Sequence, residues 1–485
     1  MVALAAIALL ASQIAAQLSP PVTINDAKGN PLPQCAFDAS KGKARLEPPL
    51  DGYMMLGMSL DWSYETPTTS SQGKMKGYTA AVYNSWLDMG PSLGNGTGYD
   101  KNMLNWFGSE AGRVGAILEL TLNPPKEFSP TGPDLKDLTP EMYDSIARDF
   151  ARINQIYGTP IFLRWGHEMN GDWYGWGNEP RAFIASHIAL TNAVRKYTNM
   201  TAMVWAPNIG ITYPFVGGGA RESPAPGGLD FDLLDTNKDG KIDSFDNPYS
   251  PFWPGDDYVD WVGISLYYYP RQDCHNDCPV PDNYFKQLLT GGFNNPEAPG
   301  SGDTNAWLAT RNFYQQFAEA KNKPMMLPET GSPWIANWST RAGATTEVKV
   351  KEGWWSQVFS QDTMKNYPRV KLAVQYEEAK PLALDGEAAF QDWRVTNNTE
   401  TMNWWNGFIG GFKSNLRDAS QLVYNCDGSI TIGSKQAVTT SAGGVASVTG
   451  GASSSGPGVG PTSSKSAGSV NMVSGLAAVV LAYFL

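Results

Sequence analysis

Eight short apolar runs of strand length recur between residues 54 and 375, with segments whose apolar residues return every three or four positions between several of them. No other feature restricts the fold as much, because strands separated by helices pair in parallel, in an open sheet or a closed barrel. The runs cover residues 54–60, 80–86, 115–122, 160–163, 202–205, 259–266, 325–327 and 372–375. The clearest helix spans 137–157. There Thr139 is the expected N-cap, Pro140 takes the first helical position, and Ile146, Phe150, Ile153 and Tyr157 make one apolar face before Gly158 stops the helix. Further helices are expected at 179–197 and 305–321.

The fourth run, Ile161-Phe162-Leu163, turns abruptly polar at Arg164, His167, Glu168 and Asn170, and Trp173, Tyr174 and Trp176 follow among glycines. A carboxylate at a strand end is chemically exposed, and flat ring faces beside hydrogen-bonding groups suit the two sides of a sugar ring. So many consecutive polar groups are expensive to bury without a task. The chain carries 17 Trp, 21 Tyr and 19 Phe, and its formal charge of -11 without basic runs argues against nucleic acid or an anionic membrane surface as partner. A neutral polymer fits better. The doublets Trp354-Trp355 and Trp404-Trp405 add to that expectation, since adjacent side chains point in different directions and are not expected to serve one core together.

The run RWGHEMNGDWYGWG, residues 164–177, resembles the acid/base motif of glycoside hydrolase family 26, retaining β-glycanases that are mostly endo-β-mannanases. Trp205-Ala206-Pro207-Asn208 resembles the next strand end of that family, residues 254–267 the one after, and Leu327-Pro328-Glu329-Thr330-Gly331 the nucleophile segment. The resemblance covers roughly residues 51–415 and implies an α/β fold, a (β/α)8 TIM barrel, for residues 51–427. It implies Glu168 as acid/base and Glu329 as nucleophile. On such a barrel both converge at strand ends on one face. Arg164 and the Tyr267 hydroxyl are expected to hold Glu329 ionised, the Glu329 charge to keep Glu168 protonated, and His167 to orient site and sugar. Asn170, Trp173, Trp176, Trp205 and Trp334 complete the expected substrate contacts. The implied activity is retaining hydrolysis of β-mannan, without a cofactor for catalysis. A β-1,3/1,4-glucanase, a xylanase, a wall transglycosylase or a silent polysaccharide-binding wall protein are the alternatives, because fold and catalytic pair do not fix the sugar.

Residues 209–257 form a long insertion between strands five and six, rich in Gly, Pro and Asp. Within it, DTNKDGKIDSFD has the spacing of a calcium loop. Asp235, Asn237 and Asp239 take positions one, three and five, Gly240 the turn, Lys241 a backbone carbonyl, and Asp243 and Asp246 positions nine and twelve. Asp in place of Glu at the last position is seen in dockerin-like loops. A structural calcium ion is therefore expected.

Residues 1–16 read as a secretory signal, 17–50 as a proline-rich arm lying on the barrel, 428–470 as a Ser/Thr/Gly-rich linker and 471–485 as an apolar tail. The tail is shorter than the roughly 20 residues of a membrane span. Small residues, polar spacer and apolar end are the pattern of a glycosylphosphatidylinositol signal, so a secreted, surface- or wall-anchored monomer is expected. Four cysteines agree with export. One of the three possible pairings joins Cys274 to Cys278 and Cys35 to Cys426. With three histidines and no Cys-x-x-Cys, zinc is not indicated. Asn95, Asn199, Asn337 and Asn397 begin N-glycosylation triplets.

Overall fold

The structure, a computed structural model, describes residues 38, 43–48, 52–89, 98–125, 134–215, 223–269, 278–292, 309–335, 345–384 and 387–433. Eight parallel strands close on themselves: β1 (Met54–Leu60), β2 (Val82–Asp88), β3 (Ile117–Asn123), β4 (Ile161–Trp165), β5 (Thr201–Trp205), β6 (Trp261–Gly263), β7 (Met325–Gly331) and β8 (Val370–Glu377). Each pairs with the next, and β8 returns to β1 with Met55 beside Leu372 and Leu60 beside Glu377. The expected (β/α)8 barrel is therefore present. Helices follow the strands, among them Lys101–Val114, Pro140–Tyr157, Pro180–Tyr197, Glu347–Val358 and Thr399–Gly411.

Local chemistry accounts for the helix boundaries. Thr139 Oγ1 accepts the Met142 amide at 3.4 Å, Pro140 needs no donor at the first position, and Gly158 ends the helix at a positive φ of 64°. The helix Pro180–Tyr197 begins without a side-chain cap from Glu179 and is held instead by the buried face of Phe183, Leu190, Val194 and Tyr197. Of the expected helix at 305–321, residues up to 308 lie outside the described region, and the rest contains a π-helical stretch, Tyr314–Glu319.

Inside the barrel, Met55, Val82, Ile117, Phe162, Val204, Trp261, Met326 and Leu372 form one apolar cluster. Leu46 from the N-terminal arm and Leu422 and Ile430 from a C-terminal hairpin join it at the strand starts and close that end. The arm is tied down by Leu46 N donating to the Gly428 carbonyl at 3.1 Å and by Trp261 Nε1 donating to the Arg45 carbonyl. Around the barrel a second cluster packs the helices on the strands.

That outer layer corrects the reading of the tryptophan doublets. Trp354, Trp355 and Trp405 are fully buried. Trp354 Nε1 donates to Thr330 Oγ1 and Trp355 Nε1 to Gln375 Oε1, both at 3.0 Å, so adjacent residues of one helix serve two neighbouring strands. The helix sits in the groove between β7 and β8, where side chains pointing about 100° apart both meet protein.

Strand six is interrupted. The expected continuous run at 259–266 divides into β6 and a two-residue piece, Leu266–Tyr267, that pairs with β7. The break lies at Ser265, whose amide donates to the Pro207 carbonyl at 3.3 Å. Strand seven runs to Gly331, so Glu329 lies within its last turn of pleat and not past its end.

Candidate active site

At the C-terminal end of β4 the chain makes a tight polar turn. Gly166 and Glu168 both have positive φ, 52° and 53°, and the Glu168 amide donates to the Ala206 carbonyl beyond β5 at 2.8 Å. A non-glycine residue held there costs free energy that the surrounding contacts must offset, and such positions cluster at functional sites. Gly171 is required for another reason: a Cβ there would lie 2.4 Å from the ring of Trp173. The ring thus folds back onto the turn, and its Nε1 donates to Glu168 Oε2 at 3.0 Å.

Glu168 is 3% exposed. Its other oxygen, Oε1, accepts Asn208 Nδ2 at 2.9 Å. Burial, and next the negative charge of Glu329, raise its pKa; Arg164 and the hydrogen bonds of Asn208 and Ser265 oppose this incompletely. A carboxyl held above its usual range suits proton donation.

Glu329, on β7, is 1% exposed and has donors on both oxygens. Arg164 Nη1 donates to Oε1, and the Tyr267 hydroxyl donates to Oε2 at 2.8 Å. Arg164 Nη2 donates to Ser265 Oγ, at the break in strand six, at 2.7 Å. Burial alone would weaken the proton affinity of Arg164, but Glu329, Glu119 and Glu168 outweigh it and the pKa is raised. One fixed cation thus lies among three carboxyl groups.

Several of the expected substrate contacts are buried and hydrogen-bonded within the protein. Asn170 is closed off from solvent, and its amide clamps the backbone of Asn208 through Nδ2 to the carbonyl and Oδ1 from the amide, both at 2.8 Å. Trp176, 1% exposed, stacks on Tyr174 at 4.5 Å and donates to the His167 carbonyl at 2.8 Å. Trp205 is fully buried against Phe313, Phe317 and Trp253, with its Nε1 on the Phe252 carbonyl at 2.9 Å. These three side chains are engaged by the turn and the core. His167 is likewise buried, its Nε2 3.0 Å from the Tyr174 hydroxyl, and burial followed by the Arg164 and Lys380 charges pushes its pKa well down, so it acts as a neutral strut. Trp173 and Tyr267 do lie at the carboxyl pair. Trp334, half-buried, lies in a small antiparallel sheet with Asp392 across from it.

Sequence reasoning did not select Asn208 or Ser265 as site residues, nor, Tyr267 apart, the aromatic wall around Glu329. Trp393 and Tyr376 pack edge-to-face at 5.5 Å, Tyr267 meets Tyr376 at 6.0 Å and Trp393 at 6.2 Å, and Trp86 of β2 meets Tyr376 at 6.0 Å. The available signal was the position of Trp86 and Tyr376 near the ends of barrel strands. Glu377, also at a strand end, has a different use: its carboxylate accepts the Val395 and Thr396 amides at 2.9 Å each and holds the turn bearing Trp393.

No family model matches the chain. Among curated proteins it is similar to the β-1,3-xylanase TXYA of Vibrio sp, 23% identical over 249 residues, covering 51% of this chain and 44% of the xylanase. It is also similar to the mannan endo-1,4-β-mannosidase A of Piromyces sp, 31% identical over 72 residues, covering 14% of this chain and 12% of that protein. The chain thus spans less than half the length of these relatives. Among solved structures it is similar to an endo-β-1,4-mannanase double mutant of Cellulomonas fimi, with 16% identity, TM-score 0.49, and coverage of 82% of this chain and 81% of that one. A glycoside hydrolase family 26 β-mannanase of Bacteroides ovatus gives 14% identity and TM-score 0.44, covering 76% of this chain and 91% of that one.

The second candidate site is the loop in the insertion. Asp246 is fully buried; Oδ1 accepts the Thr236 and Asn237 amides at 2.6 and 3.2 Å and Oδ2 the Asp243 amide at 2.9 Å. Asp235 accepts the Asp239 amide at 3.1 Å and the Gly240 amide at 2.9 Å, and Lys238 and Gly240 take φ of 64° and 87°. The twelve residues thus wind around their first and last carboxylates. Among the described residues no three His, Cys, Asp or Glu side chains converge as a metal cluster. A calcium loop, however, also draws on an amide oxygen, here Asn237, and a backbone carbonyl, here that of Lys241, so the donor chemistry fits a hard cation.

Cys278 and Cys426 are both disulfide-bonded, and Cys35 and Cys274 lie outside the described residues. Asn199 is corrected as a glycosylation candidate. It is 3% exposed, and its Oδ1 accepts the Asp38 amide at 3.0 Å. The Asn397 amide is engaged by Glu347 and Asp392 at 2.8 and 3.0 Å. Asn95 and Asn337 lie outside the described residues.

Proposed function

We propose that this protein is a divergent member of glycoside hydrolase family 26, a retaining endo-β-glycanase with Glu168 as acid/base and Glu329 as nucleophile. The observation that carries the reading is the unequal environment of two carboxyl groups on one barrel face. Glu329 has a guanidinium and a phenol donating to it, while Glu168 is held above its usual range beside an indole and an amide. In the first step Glu329 attacks the anomeric carbon as Glu168 protonates the leaving oxygen. In the second, Glu168 takes a proton from the water that displaces Glu329, which returns the configuration. The aromatic wall excludes water around the developing positive charge, and Tyr267 fixes the attacking oxygen.

The backbone cleaved is β-mannan on the resemblance of the catalytic segments. A second reading, β-1,3-xylan, is favoured by the likeness to the Vibrio β-1,3-xylanase over half of the chain. Incubating the purified protein with mannan, β-1,3-xylan and mixed-linkage glucan and identifying the products by chromatography separates them. Glu168→Ala should lose roughly 10²- to 10⁴-fold on the polysaccharide yet keep much of its first step on aryl glycosides that need no acid. With azide, Glu168→Ala should turn substrate into the β-glycosyl azide as azide displaces Glu329 from the glycosyl intermediate, whereas Glu329→Ala with azide should yield the α-anomer. Full activity in both variants would end the assignment.

The loop at residues 235–246 is proposed to hold a structural calcium ion through Asp235, Asn237, Asp239, Asp243, Asp246 and the Lys241 carbonyl. The chain is further proposed to be exported, to lose residues 1–16 and the apolar tail, and to be displayed as a monomer at the cell surface or wall on a lipid anchor.

A further inference from the structure

Below the Arg164–Glu329 pair, the inward faces of four adjacent strands carry polar groups in one row. In register, Ser59 of β1 stands beside Asn84 of β2, Asn84 beside Glu119 of β3, and Thr121, two residues above Glu119, beside Arg164 of β4. All are buried. Ser59 Oγ, Asn84 Oδ1, both Glu119 oxygens and Arg164 Nε have no hydrogen-bond partner within normal geometry. Buried polar atoms in native proteins are satisfied, so five orphans in one contiguous patch mark a set of groups meant for one another.

We propose that Glu119 is a positioning residue that, as a neutral carboxylic acid, bridges Asn84 to Arg164 and so fixes the guanidinium holding Glu329. The surroundings support this form over the carboxylate: neither Glu119 oxygen has a donor within normal geometry, and Arg164 gives its two Nη groups to Glu329 and Ser265. Asn84 Nδ2 points at Thr121 Oγ1 at 3.4 Å, and its Oδ1 can take a proton from the Ser59 hydroxyl or from a carboxylic acid but not from a carboxylate. A carboxylic acid donates its O–H to Asn84 Oδ1 and accepts Arg164 Nε–H on its carbonyl. Glu119 and Arg164 are diagonal neighbours on one face of the sheet, within reach of long side chains. The charged groups facing Glu119 are Arg164 and Glu329; Ser59, Asn84 and Thr121 are uncharged. Burial pushes its pKa up to about 8, with Arg164 opposing, Glu329 adding to the rise and Asn84 easing it slightly. A second full negative charge under Arg164 would compete with Glu329 for the cation. The proton on Glu119 removes that competition.

The inference rests on Glu329 being the nucleophile, but its first test needs no substrate. Difference infrared spectra of wild type and Glu119→Gln at pH 7 should show a carboxylic acid carbonyl band lost in the variant; loss of carboxylate bands instead overturns the proposal whichever glycan is cleaved. The kinetic test uses an aryl glycoside with a good leaving group, so that Glu168 is not needed as acid in the first step. Glu119→Gln donates to Asn84 and accepts from Arg164 as the acid does, and should keep wild-type kcat/KM below pH 7. Glu119→Leu strands both neighbours and should lose roughly ten- to a hundred-fold, chiefly in kcat. Wild type should also lose activity as pH rises through about 8, where Glu119 ionises, and Glu119→Gln should not. Equal losses in the Gln and Leu variants, or identical alkaline limbs in wild type and Glu119→Gln, overturn it.

Discussion

Asn208 sits one hydrogen bond from the candidate acid, and Asn170 sits one further back with both its amide atoms on the Asn208 backbone. Because the Asn208 amide donates to Glu168, it favours the charged form and lowers the pKa. Removing it therefore raises the pKa further. Asn208→Ala should move the alkaline limb of kcat/KM up by about one pH unit, since a hydrogen bond to a charged group is worth about 1.5–3 kcal/mol and a pKa unit about 1.4. Asn170→Ala, acting only through the Asn208 backbone, should move it in the same direction by less. A limb that stays put in Asn208→Ala, measured from pH 4 to 9 on the glycan that is cleaved, would contradict this picture. The burial of Asn170, Trp176 and Trp205 has the same lesson: a polar or aromatic residue beside a catalytic carboxyl often shapes the backbone that presents it.

At the scale of elements, the insertion between β5 and β6 is joined to the site through packed side chains. Buried Arg311 donates to the carbonyls of Asp246 and Ser244 at 2.6 and 2.7 Å, Asn247 donates to Gln316 at 2.7 Å, and the Tyr249 hydroxyl accepts the Gly210 amide at 2.9 Å. Further along, Phe313 and Phe317 pack on Trp205 at the end of β5. An ion that locks the loop thus stiffens the stretch leading to Asn208. Carboxylates gathered without a cation repel, and an ion bound only by the native state stabilises it by about 2.7 kcal/mol at a hundredfold excess over Kd. Chelator should lower the melting temperature by several degrees, and Asp239→Ala, an exposed position, should abolish the difference. Coincident melting curves with and without chelator in calcium-stripped buffer would exclude the ion.

For the whole molecule, the two ends of the folded region meet at the face of the barrel opposite the carboxyl pair. Leu46 on one side and Leu422 and Ile430 on the other cap the interior, and Gly428 bonds to Leu46 across them. The proposed lipid anchor is tested directly: phosphatidylinositol-specific phospholipase should release the protein from intact cells. Retention in the membrane fraction while a known anchored protein is freed would rule out the anchor.

What the sequence determined by itself is what local periodicity and short-range chemistry encode: eight apolar runs separated by amphipathic segments, the Thr139-Pro140 start and Gly158 stop, and a polar burst at a strand end that marked Glu168. Glu329 was legible because it follows an apolar run within a recognisable segment. The tertiary structure decided whatever depends on which faces meet. Strand register placed Ser59, Asn84, Glu119 and Arg164 in one row, although they are spread over more than a hundred residues. The groove between β7 and β8 buried both members of the Trp354-Trp355 doublet. Ser265, at the break in strand six, meets Arg164 from a strand 101 residues earlier. A one-dimensional pattern records that a residue is apolar or charged, whereas the direction in which its side chain finds a partner exists only after the barrel has closed.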